Sequence, residues 1–168
     1  MVWAFGGDYT GEYFDYGADH DKMLELLGKD LNANNPDLRP YFSRGGKLLI
    51  YSGSSDPVVP FPDVMKYYDR VVKTVGREVT LEHARYFLIP GQCHRASPVR
   101  FSPAIVNGER EVNLPADMLR LWCEEGIAPY SIDLVTQRRG IRIPKRIYAY
   151  CTENNPSLEY PACDEIFM

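Results

Sequence analysis

The stretch GGKLLIYSGSSDP, residues 45–57, decides the fold class because a short apolar run is followed directly by a polar loop. An apolar run of this length with glycine at both ends is typical of a strand that is buried on both faces in a parallel sheet. The run ARYFLIP, residues 84–90, has the same character and predicts a second buried strand. Asp56 follows the first predicted strand, and His94 follows the second.

A helix is predicted between these two strands. Three prolines interrupt the loop after the first strand, and Pro62 suits the first turn of a helix, where its missing N–H is not needed. Gly76 stands where this helix would end. Apolar residues recur between them at helical spacing, and they are Val64, Tyr67, Tyr68, Val71 and Val72.

The stretch LPADMLRLWCEEGIAP, residues 114–129, predicts a further helix that is ended by Gly126 and Pro129. The chain therefore alternates strand, helix, strand, helix. This alternation indicates an α/β fold in which most strands are parallel and are joined by right-handed crossover helices. In such a sheet both strands end at the same carboxyl edge, so Asp56 and His94 are expected to be neighbours.

Composition limits the class of protein. With 168 residues, 45% apolar and 25% charged, the chain is expected to form a single domain over residues 1–168. Its net charge of −4 argues against a nucleic-acid partner, and no apolar run is long enough to span a membrane. The basic run RRGIRIPKR, residues 138–146, is interpreted as a solvated loop or a strand edge.

The two ends of the chain differ from its middle. Aromatic residues are scattered among glycine and aspartate near the start, so residues 1–40 are expected to be a connector that packs on the domain. The start has neither the basic nor the apolar region of a signal peptide. Residues 150–168 form a cysteine-bearing tail.

Asp56 and His94 together suggest hydrolytic chemistry. A carboxylate that orients an imidazole supplies two of the three groups of a Ser-His-Asp site. In α/β hydrolases the order along the chain is nucleophile, acid, histidine, and here the acid precedes the histidine. We therefore predict Asp56 as the acid and His94 as the general base. The alternatives are that Asp56 merely opens a turn or caps a helix, and that His94 is an ordinary loop residue.

Other residues of the same types are weaker candidates. His20 lies at the start of a predicted helix and His83 precedes a strand, so both are expected to be structural or exposed. Asp63 and Asp69 fall within the predicted helix after the acid loop, where they are expected to face solvent.

The nucleophile is not evident. The sequence has no Gly-x-Ser-x-Gly motif. Ser54 and Ser55 are poor candidates because they follow a strand without that glycine spacing. Cys93 is also poor, since adjacent side chains on an extended loop point apart and His94 could not take its proton. The nucleophilic serine is therefore expected to lie outside this chain.

The four cysteines do not indicate a metal site. None forms a Cys-x-x-Cys pair, so a zinc site is not expected. No cofactor is predicted. Cys151 and Cys163 are the best candidates for a disulfide, provided that the compartment is oxidising. The redox states of Cys93 and Cys123 stay open.

Several segments resemble the carboxyl-terminal part of the tannase and feruloyl esterase family. They are DLRPYFSRGGKL at 37–48, the Tyr67–Tyr68 pair, PGQCH at 90–94, LWCEEGIAP at 121–129, and the tail. The resemblance implies the carboxyl-terminal half of an α/β-hydrolase sheet. It also implies hydrolysis of esters of aromatic acids such as gallate and ferulate, with Asp56 as the catalytic acid and His94 as the base.

The sequence departs from the family pattern at two places. Family members usually carry a cysteine directly after the histidine, bonded to one beside the nucleophilic serine, whereas here Arg95 occupies that place and Cys93 precedes His94. Ser52 stands where the acid loop often has a histidine. These differences concern the family's customary disulfide and the shape of the site.

The resemblance also places the nucleophilic serine, the oxyanion hole and most of the lid in the family's amino-terminal part, where substrate selectivity and calcium binding would reside. It therefore implies a missing amino-terminal segment, or a partner chain, that carries the serine. The family is mostly secreted. The competing hypothesis is a non-catalytic, hydrolase-like module that forms a homo-oligomer or binds a partner through an exposed sheet edge.

Overall fold

A computed structural model describes residues 2–94, 99–138 and 141–150 of the chain. The chain divides into two compact units, residues 1–35 and residues 36–168. The expectation of a single domain, with a connector at residues 1–40 and a tail at 150–168, stays a prediction.

Among its described residues, the first unit contains two helices, α1 (Val2–Phe5) and α2 (Ala18–Leu31). Before α2, the Asp15 carboxylate accepts hydrogen bonds from the backbone N–H groups of Gly17 and Ala18, at 2.7 and 3.0 Å. Such bonds satisfy donors that the start of a helix leaves without partners.

The second unit contains four helices and six strands within the described residues. In chain order they are α3 (Arg39–Phe42), β1 (Leu48–Gly53), α4 (Phe61–Val75), α5 (Arg77–His83), β2 (Ala84–Ile89), β3 (Val99–Val106), β4 (Arg110–Val112), α6 (Pro115–Glu125), β5 (Ser131–Arg138) and β6 (Ile141–Tyr148).

The predicted strand-helix-strand unit is confirmed. β1 and β2 are parallel and pair in register from Leu48 opposite Ala84 to Gly53 opposite Ile89. Pro62 lies in the first turn of α4, and the helix ends at Gly76 as expected. The short helix α5 begins directly after Gly76 and was not predicted, so the crossover consists of two helices.

The expectation that most strands are parallel is wrong for the described residues. β3, β4, β5 and β6 form a separate antiparallel sheet in the order β4-β3-β5-β6. The reversal between β3 and β4 occurs at Asn107 and Gly108, which both have positive φ and suit a tight hairpin. The basic run at 138–146 includes part of β6, the outer strand, so the strand-edge interpretation holds.

The expectation that β1 is buried on both faces is wrong for most of the strand, because only Ser52 and Gly53 are buried and Tyr51 is 45% exposed. β2 is covered on both faces, since successive side chains along a strand point to opposite faces and nearly all of β2 is buried. On the α4 side the buried residues are Phe42, Tyr68, Val71, Val72, Ala84, Tyr86 and Leu88. On the other side they are Phe87, Ile89, Ala104, Val106, Val112, Met118, Leu121, Ile132, Leu134, Ile147 and Ala149. The carboxyl ends of β1 and β2 are therefore held from both sides.

Candidate active site

The loops that follow β1 and β2 run side by side. The Ser54 N–H donates to the carbonyl oxygen of Ile89 at 3.0 Å, and the Ser55 N–H donates to that of Gln92 at 3.1 Å. The backbones are in close contact, because a Cβ atom at Gly53 would lie only 2.1 Å from the Gln92 carbonyl oxygen. The loops therefore require glycine at position 53.

A tight turn leads from β2 to His94. The Gln92 N–H donates to the Ile89 carbonyl oxygen at 3.3 Å, across Pro90 and Gly91. Gly91 has a φ of 77°, a conformation that glycine adopts without the strain other residues would incur. Proline followed by a residue of positive φ is the signature of a type II turn.

Asp56 is held by backbone donors of its own loop. Its Oδ1 accepts hydrogen bonds from the N–H groups of Val58, at 2.8 Å, and Val59, at 3.0 Å. The bond from Val59 does most to lower the pKa of Asp56 below its ordinary value, with further lowering by Val58 and by His94, while burial acts in the opposite direction. Asp56 is consequently a carboxylate at neutral pH.

The other oxygen of Asp56 contacts His94. Asp56 Oδ2 lies 3.0 Å from His94 Nδ1. The carboxylate is 12% exposed, whereas the imidazole is 41% exposed. Because an ionised carboxylate can only accept hydrogen bonds, Nδ1 donates in this contact, and the neutral form of the ring then has its lone pair on Nε2. The pair is therefore prepared to accept a proton at Nε2.

The structure places Ser54 in a bridging position. Ser54 Oγ accepts a hydrogen bond from the Gly91 N–H at 2.9 Å and so connects the two loops. Ser55 is exposed. Cys93 is partly buried, and its Sγ lies 4.0 Å from the Gly91 carbonyl oxygen. In the part of the chain that the structure describes, none of these three side chains forms a hydrogen bond with the His94 ring.

The hydroxyl groups of Ser52 and Tyr86 form a buried pair between β1 and β2. Sequence patterns did not indicate this pair. Ser52 Oγ lies 2.6 Å from the Tyr86 OH, one residue on β1 and the other on β2. Burial raises the pKa of Tyr86, and the hydrogen bond with Ser52 partly offsets this. Neighbouring strands of a parallel sheet bring these side chains together on the α4 face.

The rival residues lie elsewhere. His20 is exposed beside Asp21, and the Nδ1 of His83 lies 2.9 Å from the Gly46 carbonyl oxygen. Asp63 is exposed on α4, as predicted, but Asp69 is only partly exposed. Within the described ranges these side chains do not join Asp56 and His94.

Several sequence predictions cannot be placed. Cys151, Cys163 and Arg95 lie outside the described residues, and Cys93 and Cys123 form no disulfide within the described part of the chain. Among described residues, no cluster of His, Cys, Asp or Glu is suited to hold a metal ion. Every helix in that part of the chain is too short or too polar to cross a lipid bilayer.

Comparisons with known proteins agree with this architecture. A crystal structure of feruloyl esterase B from Aspergillus oryzae superposes with a TM-score of 0.70, at 22% identity, over 88% of this chain and 31% of that one. The fold is thus part of an α/β hydrolase. The sequence model described as tannase and feruloyl esterase matches residues 10–165, and the chain belongs to that family.

Curated relatives are much longer than this chain. An uncharacterized esterase of Xanthomonas campestris pv. campestris is 29% identical over 76% of this chain and 26% of its own length. A probable feruloyl esterase B of Emericella nidulans is 34% identical over 68% of this chain and 23% of its own length. The chain spans about a quarter of the length of these relatives.

Proposed function

We propose that this chain supplies the acid and the base of a serine carboxylic ester hydrolase that acts on esters of aromatic acids. The observation that carries the proposal is the contact between Asp56 Oδ2 and His94 Nδ1 at 3.0 Å. Family membership supports ester hydrolysis as the reaction class. The serine would come from an amino-terminal segment or a partner chain, because this sequence has no Gly-x-Ser-x-Gly motif.

The geometry fits general base catalysis. As a serine oxygen attacks the ester carbonyl, its proton would move to His94 Nε2, and the carbonyl electron pair would move to oxygen. Asp56 would stabilise the imidazolium through the Nδ1 hydrogen bond without taking its proton. The intermediate would then collapse, and His94 would give the proton to the departing alkoxide, leaving an acyl-serine.

Hydrolysis of the acyl-serine would use the same pair. His94 Nε2 would take a proton from water as the water oxygen attacks the acyl carbonyl, and the proton would then return to the serine. Oxyanion donors would have to lie beside the serine, because the largest electrostatic contribution to acyl transfer comes from groups that stabilise the carbonyl oxygen. These donors, like the serine, are proposed to lie outside this chain.

The substrate class rests on the relatives. The Emericella nidulans relative is named a probable feruloyl esterase, and the superposed crystal structure is of a feruloyl esterase. The alternative, a non-catalytic module, is not favoured because Asp56 is held as an acceptor directly against His94.

Labelling with a serine-directed fluorophosphonate tests the proposal. In the complete protein, meaning this chain together with the segment that carries the serine, we expect labelling of one serine outside residues 1–168 and hydrolysis of methyl ferulate or methyl gallate. The separate chain should be neither labelled nor active. Labelling of Ser54 or Ser55, or hydrolysis by the separate chain, would contradict the proposal.

A further inference from the structure

The turn before His94 leaves one donor that the turn itself cannot satisfy. The Gln92 N–H is bonded to the Ile89 carbonyl oxygen, and Pro90 has no N–H. The N–H of Gly91 belongs to the central peptide of the turn and points away from that bond. In the structure this N–H donates to Ser54 Oγ at 2.9 Å.

The orientation of that central peptide is not fixed by the turn residues alone. Type I and type II turns differ in ψ of the second residue and φ of the third, which amounts to a flip of the peptide between them. Proline is accepted as the second residue of both types, and glycine tolerates the third position of both. Pro90 and Gly91 therefore favour the observed type II turn without excluding type I, and a hydrogen bond to the Gly91 N–H adds a further constraint on this peptide.

Ser54 supplies that constraint from the neighbouring loop. Its backbone N–H is anchored to the Ile89 carbonyl oxygen at 3.0 Å, so its side chain starts from a fixed point beside the turn. The Gln92 carbonyl oxygen lies at the other end of the turn. It accepts a hydrogen bond from the Ser55 N–H and is in close contact with Gly53, so this end of the turn is also held. Asp56 follows in the next position, and His94 lies two residues beyond Gln92.

We propose that Ser54 is a positioning residue. By accepting the Gly91 N–H, its hydroxyl fixes the Pro90–Gly91 peptide and thereby holds the histidine loop against the acid loop. The inference rests on the proposed function, since the geometry it protects is the Asp56–His94 contact. It also assigns Ser54 a role other than nucleophile, because its oxygen accepts a hydrogen bond from the Gly91 N–H of the turn.

The test compares Ser54→Ala with Ser54→Thr in the complete protein. Loss of one loop contact should lower kcat about tenfold, because small misplacements of catalytic groups cost rate, and should leave KM within about twofold. Ser54→Thr keeps a hydroxyl and should recover kcat to within about threefold of the parent. Ser43→Ala, at an exposed serine of the same unit, is the matched control and should change neither constant.

Amide hydrogen exchange at Gly91 gives a second reading that does not depend on activity. In Ser54→Ala the exchange of this amide should accelerate at least about fivefold, while amides of β2 keep their protection. Unchanged exchange at Gly91, an unchanged kcat, or a change in KM alone would overturn the inference. So would complete inactivity of both Ser54→Ala and Ser54→Thr.

Failure of the proposed function would look different. It would be seen as undiminished hydrolysis by His94→Ala, whatever the behaviour of the Ser54 variants. The exchange measurement would then still decide whether Ser54 holds the turn, and acceleration confined to Ser54→Ala would support that part of the inference alone.

Discussion

Asp56 Oδ2 lies 3.0 Å from His94 Nδ1, although 38 residues and two helices separate these positions in the chain. The contact follows from the parallel pairing of β1 and β2, which ends both strands at one edge of the sheet. It is maintained by backbone hydrogen bonds within the acid loop and between the two loops.

Replacement of Asp56 by asparagine should impair catalysis more than binding. The amide can occupy the same space, but it cannot hold the neutral imidazole with a proton on Nδ1 and stabilise the imidazolium. We expect kcat of the complete protein to fall about 10³–10⁴-fold with little change in KM. Steady-state kinetics check this, and Asp63→Asn, at an exposed carboxylate of α4, should retain parental kcat. A fall of less than about tenfold would speak against Asp56 as the acid.

The lowered pKa of Asp56 predicts that the folded protein loses stability at low pH. Because the folded-state pKa is lowered, the folded protein binds this proton less readily than the unfolded chain. The stabilisation is therefore present above the unfolded-state pKa of about 3.9 and is lost as pH falls through the folded-state value. Urea midpoints should fall more steeply below pH 4 for the parent than for Asp56→Asn. Parallel curves for the two proteins would show that Asp56 is not held as described.

Gly53→Ala should separate the two loops. A Cβ atom would lie 2.1 Å from the Gln92 carbonyl oxygen, and the backbone on both sides is fixed by hydrogen bonds. We expect a loss of about 2–3 kcal/mol in the free energy of unfolding, as for overpacking of a tight site, and loss of most activity. Urea denaturation measures the first, and Gly7→Ala is the control, since a Cβ at Gly7 would meet nothing within 4 Å. Equal stability of the two variants would refute the close contact.

Tyr86→Phe should destabilise the protein, because it removes one hydroxyl of the buried pair. The change leaves Ser52 Oγ buried without the partner that lies 2.6 Å away, which should cost about 1–3 kcal/mol. Ser52→Ala should destabilise comparably by leaving the Tyr86 OH unsatisfied. The double variant should be less destabilised than the sum of the single ones, which a double-mutant cycle of urea midpoints measures. Strict additivity would show that the two hydroxyls do not interact.

Sequence patterns predicted the elements that form the site. The apolar run at 45–53 became β1, the run at 84–90 became β2, and the helical spacing that ends at Gly76 became α4. A glycine such as Gly76 predicts the end of a helix but not the start of α5 directly after it, and its φ of 97° allows one helix to end and another to begin. These predictions rest on apolar runs and on helical periodicity, and both can be recognised in a short stretch of sequence.

The antiparallel sheet and the loop contacts were not predicted. The strands of this sheet contain charged and polar residues, and the Asn107–Gly108 pair is the local sequence feature that favours its β3–β4 hairpin. The bonds of Asp56 Oδ1 with the backbone of Val58 and Val59, and of Ser54 Oγ with that of Gly91, depend on the final loop conformation. Residue types alone could bring Asp56 and His94 to one edge but could not specify what holds them there.

Hydrolysis of an aromatic-acid ester by the complete protein, with and without the His94 side chain, tests the central claim most directly. We predict that His94→Ala lowers kcat/KM at least about 10³-fold, while His20→Ala, at an exposed histidine beside Asp21, stays within about twofold of the parent. If His94→Ala hydrolyses the ester within a few-fold of the parental rate, His94 is not the general base, and the account of this site is wrong.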